Sequence, residues 1–253
     1  MIRGLYTSAL GMITHMQRMD ITTNNMAHVN TTGHKRDHVV SHAFSDQLMT
    51  RLNDPGVRLF RDFNIGIGNI NPGVFVDDVF TSWEQGAFQT TGNPLDLALS
   101  GQGFFAINLG EEELFTRDGS FTLFNGMLMT AEGGRVQGLN GDITLPNGNI
   151  VINENGRIYV EGNYIDTLRL TTFTDLHSLR KMQDNLFRIT EHSEEAEFTG
   201  SVQQGFLEGS NVNIVREMVQ MITNSRAYET NARMISMHDQ TLQHAVNSIG
   251  SRS

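Results

Sequence analysis

Apolar side chains recur at alternating steps of three and four residues along the first 26 residues of the chain. The segment contains no proline, and seven of the eight positions in the repeat are apolar: Ile2, Leu5, Ala9, Met12, Met16, Met19 and Met26. A repeat that averages 3.5 residues is typical of helices that pack along a coiled-coil seam. The pattern therefore predicts a long helix at the beginning of the chain.

The same alternation returns at the C-terminal end of the chain, where it is polar only at Ser225 and Asp239. Its apolar members are Ile214, Met218, Met221, Tyr228, Ala232, Ile235, Leu242, Val246 and Ile249. We expect Ser210 or Asn211 to cap this helix. Val215, Val219 and Ile222 widen the apolar stripe over the first turns.

Periodicity alone favours two ordinary core helices that close one domain, because apolar helix stripes usually face a core. Two features favour helices that need further partners. The stripes are rich in Met and Ala, which pack adaptably, and the helices lie at opposite ends of the chain with a different segment between them.

Residues 81–205 are rich in Gly and Asn and alternate in short runs. Asn125-Gly126 and Asn155-Gly156 each separate two short apolar runs, which is a strong signal for a two-residue β-hairpin turn. Short, evenly spaced strands of this kind predict an antiparallel β domain.

Together the patterns predict an α+β fold in which long N- and C-terminal helices pair as a coiled-coil-like domain, with an antiparallel β domain inserted in the middle. We expect an N-terminal helix at 1–30, an extended connecting segment with a helical start at 31–80, a β domain at 81–205 and a C-terminal helix at 206–253. The arrangement brings both ends of the chain together and lets the middle project.

Charge is distributed unevenly along the 253 residues, which carry a net charge of −10. Residues 81–205 hold seven basic and seventeen acidic side chains, which accounts for the whole excess, whereas both ends are nearly neutral. Copies of the ends can therefore pack together without strong repulsion, while the middle favours contact with water. The negative charge also argues against general nucleic-acid binding.

Composition excludes several further classes. The chain has no cysteine, which removes disulfides, cysteine-zinc sites and thiol nucleophiles. Its apolar runs are too short for a transmembrane helix, so we expect a protein that is not embedded in a membrane. The N-terminus lacks the continuous apolar core of a secretory signal, and export would need another route.

Candidate chemical sites are weak. Gly101-Gln-Gly103-Phe-Phe-Ala106 matches a dinucleotide-binding fingerprint, but a strand-like run and three acidic residues follow it, where that motif needs a helix N-terminus. His34, His38 and His42 would share one face of a helix and could bind zinc, although packed or solvated histidines are the simpler interpretation. We expect no catalytic residue, cofactor or metal.

A run of residues at the end of the first helix, Asn24-Asn-Met-Ala-His-Val-Asn-Thr-Thr-Gly-His-Lys-Arg36, resembles the signature of the bacterial flagellar rod and hook axial proteins. The runs that begin at Thr91, Gly101 and Phe115, and those around Gly205 and Arg226, resemble further motifs of this family in the same order. The length, with one β insertion, is similar to that of the distal-rod type. His28, His34 and Ser225 depart from the family pattern.

The resemblance implies a structural subunit of the flagellar basal-body rod. Such a subunit polymerises helically through its terminal helices into a hollow drive shaft, with the β domain facing outward, and transmits torque from the motor to the hook. The implied partners are further copies of the chain, other rod and hook proteins, surrounding bushing rings and the flagellar type III export apparatus. The implied location is the basal body in the cell envelope, in the periplasm where an outer membrane is present.

Two sets of residues carry these expectations. We expect the assembly interface to comprise Ile2, Leu5, Met12, Met16, Met19, Met26, Ile214, Met218, Met221, Tyr228, Ile235, Leu242, Val246 and Ile249. The resemblance assigns the family signature to Asn24, Asn25, Ala27, Thr32, Gly33, Lys35, Ser210, Asn211, Val212, Arg226, Tyr228, Glu229 and Asn231.

Two alternatives from other classes remain open. The β domain could be an envelope- or glycan-binding module, which exposed aromatic side chains converging on one groove would favour. It could also act enzymatically on peptidoglycan, which paired carboxylates in a cleft would favour.

Overall fold

The structure is a computed structural model that describes residues 2–51, 65–110, 112–182, 185–190 and 194–250 of the 253-residue chain. Helix α1 spans Ile2–Ala27 and helix α2 spans Ile214–Gly250. Asn213 caps α2, since its side-chain oxygen accepts a hydrogen bond from the backbone N–H of Arg216. The predicted caps, Ser210 and Asn211, lie just upstream of this position.

Between the helices the chain is built from short strands. In chain order they are β1 (Asp37–Ala43), β2 (Gln47–Arg51), β3 (Ile65–Ile70), β4 (Val74–Thr81), β5 (Phe88–Thr90), β6 (Leu97–Ser100), β7 (Phe104–Leu109), β8 (Glu112–Thr116), β9 (Thr122–Phe124), β10 (Met127–Met129), β11 (Arg135–Gly138), β12 (Gly141–Asp142), β13 (Ile150–Ile152), β14 (Arg157–Val160), β15 (Asn163–Thr167), β16 (Leu170–Phe173), β17 (Leu179–Lys181), β18 (Leu186–Ile189), β19 (Glu195–Glu197), β20 (Ser201–Gln204) and β21 (Phe206–Glu208).

The strands pair into several sheets. The largest has the order β17-β18-β8-β7-β11-β10-β9, with β12 on β11 and with β16 pairing both β7 and β19. A three-stranded sheet has the order β13-β14-β15, and the remaining pairs are β1-β4, β2-β3, β6-β20 and β5-β21. The pairings for which a register is defined are all antiparallel.

The hairpin turns follow from local residue preferences. Asn125 and Gly126 have φ values of 51° and 80° and join β9 to β10. Both values lie in the left-handed region that Asn and Gly tolerate best. Gly156, with φ of 73°, lies in the turn between β13 and β14. Both hairpins predicted at the Asn-Gly pairs are therefore present. The first has the expected two-residue turn, whereas the second closes through a longer loop, because Asn153 N donates to the Arg157 carbonyl oxygen.

The chain divides into two compact units. The helical unit comprises Met1–Thr23, His38–Val79 and Met218–Ser253, and the β unit comprises Asn24–Asp37 and Phe80–Glu217. The four-segment division drawn from the sequence stays a prediction.

The predicted fold class was wrong, because the chain is a β-rich fold with strands in several sheets rather than two terminal helices that flank an inserted β domain. Strands begin at Asp37, soon after α1 ends, and four of them precede residue 82. Strands β1, β2 and β4 lack a regular alternation of apolar and polar residues, and glycines interrupt β3, so the sequence pattern did not indicate strands here. A helical start was expected for this segment, but Asp37–Ala43 is a strand.

The buried apolar core lies in the β unit. One cluster packs around Phe105, Phe121 and Ile158, and a second packs around Phe115 and Phe187. Each of these five side chains is at most 1% exposed. The β unit therefore closes its core with residues of its own.

Candidate functional site

Small and polar residues of α1 face α2 in the helical unit. A Cβ atom on Gly11 would lie 2.9 Å from the side-chain nitrogen of Asn231, and His15 Nδ1 lies 3.2 Å from Asn224 Oδ1. Because position 11 meets 231 and position 15 meets 224, the two helices run antiparallel here. Close approach at Gly11 and the contact between His15 and Asn224 therefore contribute to the packing of the two helices.

The buried side chains among the described residues of the helical unit are polar: Ser8, Thr14 and Thr22. Thr14 Oγ1 lies 2.9 Å from the Leu10 carbonyl oxygen and 3.1 Å from the Val74 carbonyl oxygen. The hydroxyl therefore bridges α1 to β4 inside the unit. No apolar side chain of this unit is buried among those described, in contrast to the β unit.

Apolar residues of both helices instead remain accessible. Of the predicted assembly residues, four are exposed: Met16, Ile214, Met218 and Val246. Eight are half-buried: Leu5, Met12, Met19, Met26, Met221, Tyr228, Ile235 and Leu242. The side chains of Ile2 and Ile249 lie outside those that the structure describes.

An apolar notch in the helical unit brings together four of the predicted assembly residues. It has a volume of about 290 Å³ and is lined by Ala9, Met12, Ile13, Met16, Tyr228 and Ile235. Tyr6, Ile13, Met234 and Met237 are exposed as well, and the sequence analysis missed them. Tyr6 and Ile13 are seven residues apart, so a search for a second heptad register would have found that pair.

A buried ionic network in the β unit includes the signature residue Lys35. Lys35 Nζ lies 2.7 Å from Glu208 Oε1, and Arg117 Nε lies 2.6 Å from Glu208 Oε2. The three side chains are at most 4% exposed. Buried charges are stable only when they are paired and hydrogen-bonded, so this network ties the signature turn to two distant parts of the chain.

Hydrogen bonds complete the network around Glu208. Its Oε1 also accepts the Gly86 backbone N–H at 2.8 Å. Burial alone would raise the pKa of Glu208, but the charges of Arg117 and Lys35 lower it below its ordinary value. Burial lowers the pKa of Lys35, and the Glu208 carboxylate partly offsets this effect.

Gly33 is required by the backbone geometry of the signature turn. Its φ is +66°, and a Cβ atom there would lie 2.5 Å from the backbone nitrogen of Asp118. Its own N–H donates to the Glu208 carbonyl oxygen at 2.8 Å. A side chain at this position would therefore clash with fixed backbone as well as strain the left-handed conformation.

Asn25 and Asn211 hold the two ends of the β unit in place. Asn25 Nδ2 donates to the Asp37 carbonyl oxygen at 2.7 Å, and Asp37 N donates back to Asn25 Oδ1 at 3.0 Å. Asn211 Oδ1 accepts the Arg36 N–H at 2.7 Å, while its Nδ2 donates to the Ser82 and Glu84 carbonyl oxygens.

The remaining signature residues differ in exposure. Val212 is buried, Thr32, Ser210, Tyr228 and Asn231 are half-buried, and Asn24, Ala27, Arg226 and Glu229 are exposed. The signature is therefore a mixture of interior and surface positions. Sequence reasoning assigned no role to Glu208, Arg117, Asp37 or Glu217, although the first two lie within motifs that carried the resemblance.

His34 behaves as an uncharged aromatic residue in the interior. It is 1% exposed, its ring stacks on His28 with centroids 4.7 Å apart, and Nδ1 lies 3.0 Å from Asn185 Oδ1. Burial, with a contribution from Lys181, lowers the pKa of His34 to about 4. A neutral ring therefore occupies this interior position.

The three spaced histidines do not share a helix face. His38 and His42 lie on strand β1, and His42 Nε2 is 3.6 Å from Asp77 Oδ2 at the surface. His34 is in the β unit and the other two are in the helical unit. Within the described parts of the chain, no three side chains suited to a metal ion come together.

The glycine-rich run at 101–106 leads into a strand. Phe104–Leu109 is β7, and a Cβ atom on Gly103 would clash with the Phe198 ring. The glycine therefore allows close packing, as expected for a turn before a strand. Neither described helix is long and apolar enough to cross a membrane.

Comparisons with known proteins agree with this arrangement. The family model for the flagellar basal body rod FlgEFG protein C-terminal matches residues 203–248, and the model for the flagellar hook protein FlgE/F/G D1 domain matches residues 98–160. These ranges contain Glu208, Asn211 and Arg117. The predicted resemblance to flagellar axial proteins is therefore confirmed.

The chain belongs to the family of flagellar basal-body rod proteins. It is 31% identical to the flagellar basal-body rod protein FlgG of Bacillus subtilis, over 98% of this chain and 99% of that protein. It is 33% identical to FlgG of Caulobacter vibrioides, over 96% and 97% of the two chains. Identity to FlgG of Borreliella burgdorferi is also 33%, over 98% of each chain. The chain is thus a component of the flagellar basal body in the cell envelope.

Proposed function

We propose that this chain polymerises helically through the exposed faces of α1 and α2 into a hollow shaft that transmits torque from the motor to the hook. It is a structural subunit rather than an enzyme in this proposal. The observation that carries it is the contrast between the two units: the β unit buries a large apolar core, whereas the buried side chains described in the helical unit are polar.

Exposed apolar surface on α1 and α2 favours association of the helices with neighbouring subunits. Met16, Met218 and Val246 are 45%, 46% and 68% exposed. Burial of apolar area stabilises by about 25 cal/mol per Å², less the cost of ordering the partners. A subunit whose contact faces differ joins its neighbours head to tail, and such contacts build an open helix when the rotation does not close.

The β unit is suited to the outside of such a shaft. Its core is closed, and the segment 81–205 carries the acidic excess of the chain, which favours water over contact with like copies. The remaining partners in this proposal are other rod and hook proteins, surrounding rings and the type III export apparatus. A distal position in the rod is part of the same proposal.

Substitution of exposed apolar residues tests the assembly role. Met16→Glu and Met218→Glu place a charge on the helical unit, and Leu139→Glu is the matched control on the β unit, where Leu139 is 68% exposed. We expect all three purified variants to keep the wild-type circular dichroism and unfolding midpoint. Basal bodies from cells that carry the two helix variants should lack a complete rod in electron micrographs, whereas the control should assemble. Wild-type rods and swimming in both helix variants would contradict the proposal.

A further inference from the structure

A cavity of about 220 Å³ in the β unit has two buried cations in its wall. Lys35 and Arg117 line it together with Trp83, Phe104 and Leu176, and Glu84, Gln85 and Gln102 are exposed at its rim. The cavity therefore combines positive charge with flat apolar surfaces. The assembly role proposed above uses neither feature.

The buried charges beside this cavity do not balance. Lys35 and Arg117 share the single carboxylate of Glu208. The neighbouring ion pairs, Arg36 with Glu217 and Lys181 with Asp37, each contain one charge of each sign. Among the buried side chains one positive charge is thus left over, because the further charged residue that lines the cavity, Glu84, is exposed at the rim, where water screens it. A buried charge without its own counter-charge is costly.

Each of the two cations also keeps one N–H that no described residue accepts. The Lys35 ammonium donates to Glu208 Oε1 and to the Glu84 carbonyl oxygen, which uses two of its three N–H groups. The Arg117 guanidinium donates to Glu208 and to the carbonyl oxygens of Leu99, Gly101 and Gly103, which uses four of its five. A carboxylate has two oxygens and therefore enough acceptors for both remaining N–H groups.

We propose that this cavity is a binding site for a carboxylate carried on a small aromatic or apolar group. The carboxylate lies against Lys35 and Arg117 and neutralises the leftover charge, while the apolar group packs between Trp83 and Leu176. The carboxylate can belong to a small molecule or to the C-terminus of a peptide. This inference goes beyond the proposed function and does not depend on it.

A comparison of benzoate with its neutral counterpart benzamide shows whether the cavity recognises the negative charge or is simply filled by the ring. With the purified full-length chain at constant ionic strength, we expect benzoate to raise the unfolding midpoint and to give a dissociation constant of about 1 mM by calorimetry. Benzamide should bind at least about tenfold more weakly. A short peptide that ends in Phe, as free acid and as amide, forms the second arm and shows whether the site also takes a chain terminus.

Two substitutions at the wall and rim leave the ionic network intact. Leu176→Trp narrows the cavity and should weaken benzoate binding at least about tenfold. Leu139→Trp, at an exposed residue that does not line the cavity, should not change it. Glu84→Gln removes a carboxylate from the rim and should strengthen binding about threefold by removing repulsion. Equal binding of benzoate and benzamide, benzoate binding that survives Leu176→Trp, or no binding of either free acid at about 20 mM would overturn the proposal.

Discussion

Lys35 Nζ and Glu208 Oε1 lie 2.7 Å apart inside the β unit, although 173 positions separate them in the chain. Lys35 belongs to the turn after α1, and Glu208 ends strand β21. The pair therefore joins the residues that follow the first helix to those that precede the second. Lys35, a residue of the family signature, thus connects two distant segments of the chain inside the β unit.

Glu208→Gln should destabilise the β unit strongly. The substitution keeps the shape of the side chain but leaves Lys35 and Arg117 buried without a counter-charge, which costs about 3–5 kcal/mol. Urea unfolding followed by tryptophan fluorescence measures this loss, because Trp83 contacts the second core cluster. Glu112→Gln, which removes an exposed partner of Arg188, is the control and should cost less than about 1 kcal/mol. Equal losses for the two variants would contradict the role assigned to the network.

His34 should make folding stability depend on pH between about 4 and 6.5. In this window the unfolded chain binds a proton at His34 that the folded chain does not, since burial lowers the folded pKa to about 4. Stability contributed by neutral His34 is complete above the unfolded pKa and falls as pH drops, by on the order of 3 kcal/mol in total.

His34→Phe should remove this part of the pH dependence, and the Phe ring should still stack on the ring of His28. The free energy of unfolding, measured from pH 4.5 to 7.5, should fall less steeply toward acid than in the wild type. His244→Asn changes an exposed histidine and should leave the slope as it is. A variant at position 34 with the wild-type slope would disprove the burial of an uncharged ring.

Two glycines should respond oppositely to alanine. Gly33→Ala forces a Cβ against the Asp118 backbone at a φ of +66° and should cost more than about 1 kcal/mol. Gly11→Ala meets only the movable end of Asn231, and alanine favours the helix by about 1 kcal/mol. It should therefore be neutral or stabilising. Thermal unfolding of the two variants, compared with the wild type, decides between these outcomes.

Local features of the β unit were predictable from the sequence. The Asn125-Gly126 and Asn155-Gly156 turns depend on backbone preferences of adjacent residues, so the hairpins around them could be assigned without tertiary information. The strand after Gly103 was also expected, because a helix signal was missing there. Residues that are adjacent in the sequence are sufficient to predict these elements.

Longer-range features were not predictable. The apolar repeat at Met12 and Met16 predicts a buried seam by the usual rule. The buried positions described on this helix are instead Ser8, Thr14, Thr22 and Asn25. Contacts with α2 and β4 determine which face of α1 is buried, and the local sequence pattern does not indicate these contacts. The ionic links of Glu208 are equally hidden, since their partners are scattered along the chain. The β-rich fold class was missed because β1 to β4 lack a clear alternation.

The central claim is that neighbouring subunits cover the apolar face of the helical unit in the assembled rod. The chain has no cysteine, so Met16→Cys, Met218→Cys and Leu139→Cys each introduce a single thiol at an exposed position. The measurement is the rate of maleimide labelling in purified subunits and in intact basal bodies. We predict that positions 16 and 218 react in the subunit and are protected at least about tenfold in basal bodies, while position 139 reacts in both. Equal labelling of positions 16 and 218 in subunits and in basal bodies would contradict the account.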